Sequence, residues 1–182
     1  MQHRTILTAK HLELTINRLC CQLLEKHRDF TKTVLIGMQP RGIYLADRIC
    51  TRINKQNKGT KIEYWKLDIT FYRDDFRRRQ DPLKASNTDI NFLIEGKKVV
   101  LIDDVLFTGR SVRAGLDALL DFGRPDCVEL LVLIDRRFSR HFPVQPDYVG
   151  RTVDSVASER VDVKWKQTDG EDKVILYTLD QL

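Results

Sequence analysis

The sequence predicts an α/β fold, a mostly parallel twisted sheet flanked by helices, and three observations carry that prediction. Short apolar runs recur at Thr33–Met38, at Val99–Ile102 leading into Asp103-Asp104, and at Cys127–Asp135; this is how strands buried on both faces read. Between them lie segments whose apolar residues fall three and four apart, as amphipathic helices require. Finally, 182 residues suit one domain with one sizeable core, and no repeat, low-complexity tract or second domain interrupts 1–182. Strands alternating with helices give parallel neighbours joined by crossovers on both faces of the sheet.

Each element follows from its own pattern. Leu12, Ile16, Leu19, Cys20, Leu23 and Leu24 repeat at helical spacing after Thr8, a natural N-cap. The strand Thr33–Met38 runs through "QPRG" into a second helix with Ala46, Ile49, Cys50 and Ile53 on one face, fading at "NKQNKG". Alternation over Lys61–Tyr72 predicts a longer strand. From Arg73 to Lys98 the pattern dissolves into charged and polar residues; an irregular segment of that length in a small domain is usually functional or disordered. Val99–Asp104 is the next strand. A helix over Ser111–Phe122 should turn Val112, Leu116, Leu119 and Leu120 inward and end at "GRP". Cys127–Asp135 follows, and "DYVG", "VDVKWK" and "KVILYTL" supply shorter strands.

Composition narrows the function classes. Hydrophobic content of 42% and charged content of 31% describe an ordinary globular chain. No apolar run approaches the roughly 18 residues of a membrane span, and "MQHRTILTAK" is no secretory signal. A cytoplasmic protein without membrane partners is expected. The four cysteines, Cys20, Cys21, Cys50 and Cys127, lack zinc-ligand spacing, and His3, His11, His27 and His141 form no HxxxH pair; reduced, mostly packed thiols and no dedicated metal site follow. A net charge of +5 favours anionic partners, phosphorylated metabolites and nucleic acid alike.

The chemistry concentrates in "VVLIDDVLFTGRS", Val99–Ser111. Adjacent carboxylates at the end of a buried strand repel each other, and desolvating either is costly unless something binds there. In parallel sheets, ligands bind beyond the carboxyl ends of strands. The turn after Asp103 and Asp104 opens a helix whose first N–H groups are unpaired and carry partial positive charge. Thr108 and Ser111 add hydroxyls and Gly109 permits close backbone approach, so the turn suits a phosphate. The carboxylates upstream cannot take the same phosphate; sugar hydroxyls or a metal suit them. A sugar phosphate satisfies both halves. A Walker B strand would look similar, but the chain has no G-x-x-x-x-G-K-S/T, and no G-x-G-x-x-G supports a dinucleotide fold. A receiver domain would want its acidic pair near the N-terminus.

Val99–Ser111 closely resembles the phosphoribosyl-pyrophosphate (PRPP) signature of type I phosphoribosyltransferases: apolar strand, acidic pair, spacer, then T-G-x-S/T. "IGMQPRGIYLADRI", "LDITFYRDD", "DDVLFTGRSVRAGLDAL" and "LVLIDRR" are similar to one branch, the PyrR family of pyrimidine-operon regulators and uracil phosphoribosyltransferases. The similarity runs over about Leu7 to Val149.

The resemblance implies the type I phosphoribosyltransferase fold, with a small flexible hood at about 73–98 to which Arg73, Arg77, Arg78 and Arg79 belong. It implies Asp103 and Asp104 on the ribose hydroxyls, Phe107, Thr108, Gly109, Arg110 and Ser111 around the 5′-phosphate, Val105 and Leu106 among the substrate-binding residues, and Pro40, Arg41 and Gly42 on pyrophosphate. Catalysis would rest on Arg41, Asp103 and Asp104. Ile134–Arg137, with Arg136 and Arg137, would lie beside the pyrimidine. Related enzymes carry a non-proline cis peptide in the first loop, which here would be Pro40–Arg41. Substrates and products would be PRPP, uracil, UMP and pyrophosphate, with Mg²⁺ delivered on PRPP. Pyrimidine-operon mRNA would be a further partner, with Arg18 the RNA-binding residue kept from a cluster that Asn17 and Cys21 do not match; the assembly would be a homodimer or higher homo-oligomer. Phe107, Ser111, Pro40 and Arg137 stand where the family usually has Tyr, Thr, Thr and Gly. Phe107 also lacks the carboxylate that purine-type relatives use as a base at this position. The alternatives are an RNA-binding regulator with a vestigial transferase site, or a transferase for another base.

Overall fold

A computed structural model describes residues 3–56, 62–74 and 93–178. The apolar runs become a five-stranded, all-parallel sheet: β2 (Thr33–Met38), β3 (Glu63–Leu67), β4 (Lys98–Leu106), β5 (Cys127–Arg137) and β6 (Tyr148–Asp154), in the order β3-β2-β4-β5-β6. Helices α1 (Ala9–His27) and α2 (Gly42–Gln56) bury Leu12, Ile16, Leu19, Leu45 and Ile49 on one face of the sheet. Helix α3 (Arg110–Leu119) covers the other with Val112, Ala114 and Ala118. Thr8 caps α1 as expected, its hydroxyl accepting from His11 N–H at 3.4 Å.

β2 connects through α2 to β3 on one side, whereas β4 connects through α3 to β5 on the other. The connections therefore diverge between β2 and β4, and the crevice at such a switch point is where α/β sheets bind ligands. Both motif loops, 39–42 and 107–111, leave the sheet at this point.

A second, antiparallel sheet joins β1 (His3–Leu7), β8 (Lys173–Thr178) and β7 (Glu159–Lys164) in the order β1-β8-β7. Its Leu7, Val163 and Leu176, with Trp165 just after β7, share the core of α1 and α2. A short helix, α4 (Lys166–Asp169), turns the chain between β7 and β8. Arg48 of α2 pins this sheet down: it donates to Asp172 at 2.7 and 3.0 Å and lies 4.8 Å over the Trp165 ring.

Several sequence expectations are corrected. The strand expected to Tyr72 stops at Leu67, because the Asp68 carboxylate accepts from Thr70 N–H at 2.8 Å and turns the chain into a 3₁₀ turn, Thr70–Tyr72. β4 runs two residues beyond Asp104, pairing Val105 with Ile134 and Leu106 with Asp135. Leu116 and Leu120 are not inward; they are 38% and 68% exposed. Small residues face the sheet instead, since a Cβ on Gly115 would lie 2.7 Å from Met38 Sδ. Of the four free thiols only Cys20 is fully buried, while Cys21 and Cys127 are exposed. The cis peptide is Gln39–Pro40, one bond before the expected Pro40–Arg41, at the amide whose ring nitrogen makes the two isomers similar in energy. Most of the hood expected at 73–98, residues 75–92 with Arg77, Arg78 and Arg79, lies outside the described residues. Among the described residues no helix is long and apolar enough to cross a membrane.

Candidate active site

Asp103 and Asp104 lie on the last turns of pleat of β4, where side chains alternate between faces. Asp103 lines a cavity of ≈ 160 Å³ together with Arg73, Val105, Leu106, Phe107, Thr108, Gly109, Arg110, Ser111 and Val112. Gly109 ends the turn at φ +87°, a conformation open to glycine, and leads into the first turn of α3. The backbone there is held from two sides. His141 and Phe142 donate N–H groups to Thr108 O at 2.9 and 3.2 Å. Arg140 donates to Phe107 O, to Leu106 O at 3.3 Å and to Arg136 O at 2.9 Å, and pairs with Asp135.

The second loop meets the first across the switch point. A Cβ on Gly42 would sit 2.5 Å from Ile102 O and 3.2 Å from Asp103 Oδ1, so only glycine lets α2 begin this close to β4. Arg41 Nε donates to Asp104 Oδ2 at 3.3 Å; its Nη2 donates to Val163 O and lies 3.6 Å from Asp169 Oδ2. Pro40, beside it, is exposed.

Electrostatics follow from this crowding. Burial and the adjoining Asp104 carboxylate push Asp103 well above the usual carboxylate range. Burial also raises Asp104, while the Arg41 guanidinium pulls the other way. A ligand that donates hydroxyl hydrogens to this pair, and places positive charge next to it, favours the ionised form that burial disfavours.

A phosphoribosyl transferase domain model matches residues 3–168. The chain is 43% identical to the bifunctional protein PyrR of Desulfosudis oleivorans, over 98% of each chain. It is 40% identical to that of Bacillus cereus strain AH820, over 97% of this chain and 99% of the relative. The chain belongs to the PyrR family. It is accordingly a phosphoribosyltransferase. Solved hypoxanthine phosphoribosyltransferases share its fold: that of Trypanosoma cruzi superposes with a TM-score of 0.72 at 16% identity over 96% of each chain. That of Staphylococcus aureus gives 0.70 at 19% identity, over 96% of this chain and 92% of the other.

Against this PyrR frame, the expected site residues fall into three groups. Arg41, Gly42 and Asp103–Ser111 converge on the switch-point crevice. Arg136 and Arg137 end β5 beside a second cavity of ≈ 400 Å³, which Phe138, Asp154, Ser155, Val156, Ala157 and Glu159 line. Arg137, where the family usually has Gly, is exposed and pairs with Asp154 through two hydrogen bonds of 2.6 and 2.8 Å. It therefore reaches across to β6 and does not fill that cavity. Arg18 stands apart on α1 and donates to Val149 O at 3.0 Å and to Gly150 O. Asn17, beside it, accepts from Arg52 of α2.

Arg140, Val163, Asp169 and Ser155 escaped the sequence reading. Arg140 stands four residues after Arg136 in an arginine-rich turn, and that spacing was the one signal available. Val163 acts through its carbonyl, and Asp169 and Ser155 come from the last third of the chain, so no local motif joins them to the crevice.

Proposed function

We propose that the chain transfers the phosphoribosyl group of PRPP to uracil, giving UMP and pyrophosphate, and that the UMP-loaded form binds pyrimidine-operon mRNA. The observation that carries the first half is the join of two receptors at one crevice. Carboxylates able to accept hydroxyl hydrogens lie directly before a glycine turn at a helix N-terminus, and an arginine touches the second carboxylate from the neighbouring loop. Ribose hydroxyls then meet Asp103 and Asp104, the 5′-phosphate meets the 107–111 turn, and pyrophosphate meets Arg41 and the start of α2.

In the reaction a ring nitrogen of uracil bonds to ribose C1′ as the bond from C1′ to the pyrophosphate oxygen breaks; the nitrogen gives up its proton, and the electron pair leaves with pyrophosphate. Positive charge grows on the ribose, and the ionised acids lie close enough to favour it. Arg41 favours the charge collecting on the leaving group. Among the described residues no three His, Cys, Asp or Glu side chains gather around one point. Two carboxylates beside a diphosphate nevertheless suit Mg²⁺, which keeps most of its waters and binds through one or two carboxylates and substrate phosphates. Delivered on PRPP, Mg²⁺ would neutralise the leaving group further.

The cavity at the ends of β5 and β6 is the natural seat for the base: Phe138 and Val156 offer apolar surface, and 80% and 63% of it is exposed. The reading includes a cytoplasmic protein that self-associates as a homodimer or larger.

The test is UMP formation from uracil and PRPP with Mg²⁺, against a panel of other bases. Uracil should be the preferred base, and Asp104→Asn and Arg41→Ala should each lower kcat/KM by about 10²–10³, as loss of one preorganised charge does. A folded protein that binds PRPP yet is inactive with every base would leave the regulatory reading alone.

A further inference from the structure

Arg136 lines neither cavity, yet touches the walls of both. It is 4% exposed. One face of its guanidinium lies 3.9 Å from the centre of the Phe107 ring, which lines the phosphate-side cavity. Its edge donates from Nε to Ser155 Oγ at 2.8 Å, and from Nη2 to Glu159 O at 2.7 Å and Val156 O at 3.3 Å. Ser155, Val156 and Glu159 all line the other cavity. The Arg136 carbonyl accepts from Arg140, the same side chain that holds the carbonyls of Leu106 and Phe107. A buried cation is thus held by an aromatic face, a hydroxyl and two carbonyls, in the partition between two ligand spaces.

We propose that Arg136 is a positioning residue that couples the two halves of the site, so that seating the sugar phosphate shapes the wall that receives the base. The inference rests on the sugar-phosphate and base assignments above. Its physical basis is the rigidity of the guanidinium. The group is planar with its donors in a fixed fork, so the plane that stacks on Phe107 also sets the direction of the hydrogen bonds to 155–159. A phosphate held on the 107–111 turn fixes the Phe107 ring, the ring fixes the plane, and the plane fixes the positions of Ser155, Val156 and Glu159. Lysine keeps the charge but has neither the face nor the fork, so it cannot pass the orientation on.

Linkage makes the coupling measurable without turnover. Ribose 5-phosphate lacks a leaving group and does not react with uracil, so its Kd can be titrated calorimetrically with and without saturating uracil. In the unmodified protein uracil should tighten ribose 5-phosphate at least about fivefold. In Arg136→Lys the ratio should fall to within about twofold of one, even where both separate affinities also weaken, because a merely structural lesion lowers both titrations and leaves their ratio. Ser155→Ala and Phe107→Leu approach the same link from its two ends and should lower the ratio too; they carry the test if Arg136→Lys does not fold. Unchanged ratios in the folded variants, or a ratio of one in the unmodified protein, would overturn the coupling and leave the transferase reading standing. An unmodified protein with no affinity for ribose 5-phosphate would overturn that reading and the coupling with it.

Discussion

At the pole of the sheet opposite the crevice, His27 shows how one buried side chain ties four elements. Its Nδ1 accepts from the Thr33 hydroxyl at 3.1 Å, and its Nε2 faces Glu129 Oε2 at 3.1 Å and Tyr148 Oη at 3.0 Å. Tyr148 donates to Glu129 at 2.6 Å, and Lys26 closes the cluster at 3.0 Å from Glu129 Oε1. The neutral ring protonated on Nε2 satisfies both neighbours. Burial lowers the pKa of His27 despite the nearby carboxylate, and hydrogen bonds from Tyr148 and Lys26 hold Glu129 low against its own burial. For a histidine with a depressed folded pKa, the unfolded chain binds more protons between the two values, so stability rises with pH across that interval. The contribution is therefore complete above about pH 6.5 and disappears as pH falls through the folded value. Glu129 acts in the same direction lower down, below its ordinary 4.5. Urea midpoints should fall more steeply, as pH is lowered from 7 toward 5, in the unmodified protein than in His27→Gln, whose profile keeps the opposite pull of the raised Asp103 and Asp104. An equal slope in the variant would assign it to other groups.

Among the elements, the start of α2 has little freedom. Glycine at 42 lets the helix begin against the backbone of β4, and the obstacles a Cβ would meet, Ile102 O at 2.5 Å and Asp103 Cα at 3.0 Å, are main-chain atoms that cannot rotate away. Gly42→Ala should therefore destabilise the fold by about 1–3 kcal/mol, the usual range for overpacking. It should also displace Arg41 from Asp104, so activity should fall further than the denaturation midpoint alone explains. Urea unfolding and the UMP assay on one preparation separate the two effects. Elements with strong periodicity were legible in the sequence: Thr33–Met38 is bounded as read, and α1 and α2 bury the expected inward residues except Leu24 and Cys50, which are only partly buried. Misreadings arose where a local contact overrode the pattern. The Asp68 carboxylate captures Thr70 N–H and ends β3 early, and the need for small residues against Met38 turns Leu116 and Leu120 outward. β1, too short and too polar to announce itself, exists because β8 pairs with it. The crevice itself was legible because each of its two segments, 39–42 and 103–111, is a contiguous stretch with a pattern of its own. The Arg136 partition was not, since its partners lie 19–23 residues ahead and two of them are carbonyls.

For the molecule as a whole, the net charge of +5 draws any polyanion, so only a dependence on the occupied crevice marks a regulatory complex. Affinity for a pyrimidine-operon leader should rise with UMP, while scrambled RNA of equal length should not respond. Arg18→Ala should weaken the leader complex, by removing a cation and by freeing the β6 carbonyls of Val149 and Gly150 that it holds. Filter binding at fixed salt decides the matter, and equal retention of both RNAs with or without UMP would count against regulation.

The ties that Arg41 makes beyond the acidic pair, to Val163 and to Asp169, both come from the segment that forms β7 and α4. That segment is anchored in turn by β8, whose Tyr177 pairs with His3. Contacts spanning so much of the chain carry the entropy cost of closing a long loop. The five parallel strands alone supply the guanidinium with Asp104, and its remaining partners come only from the ribbon that folds back to meet β1.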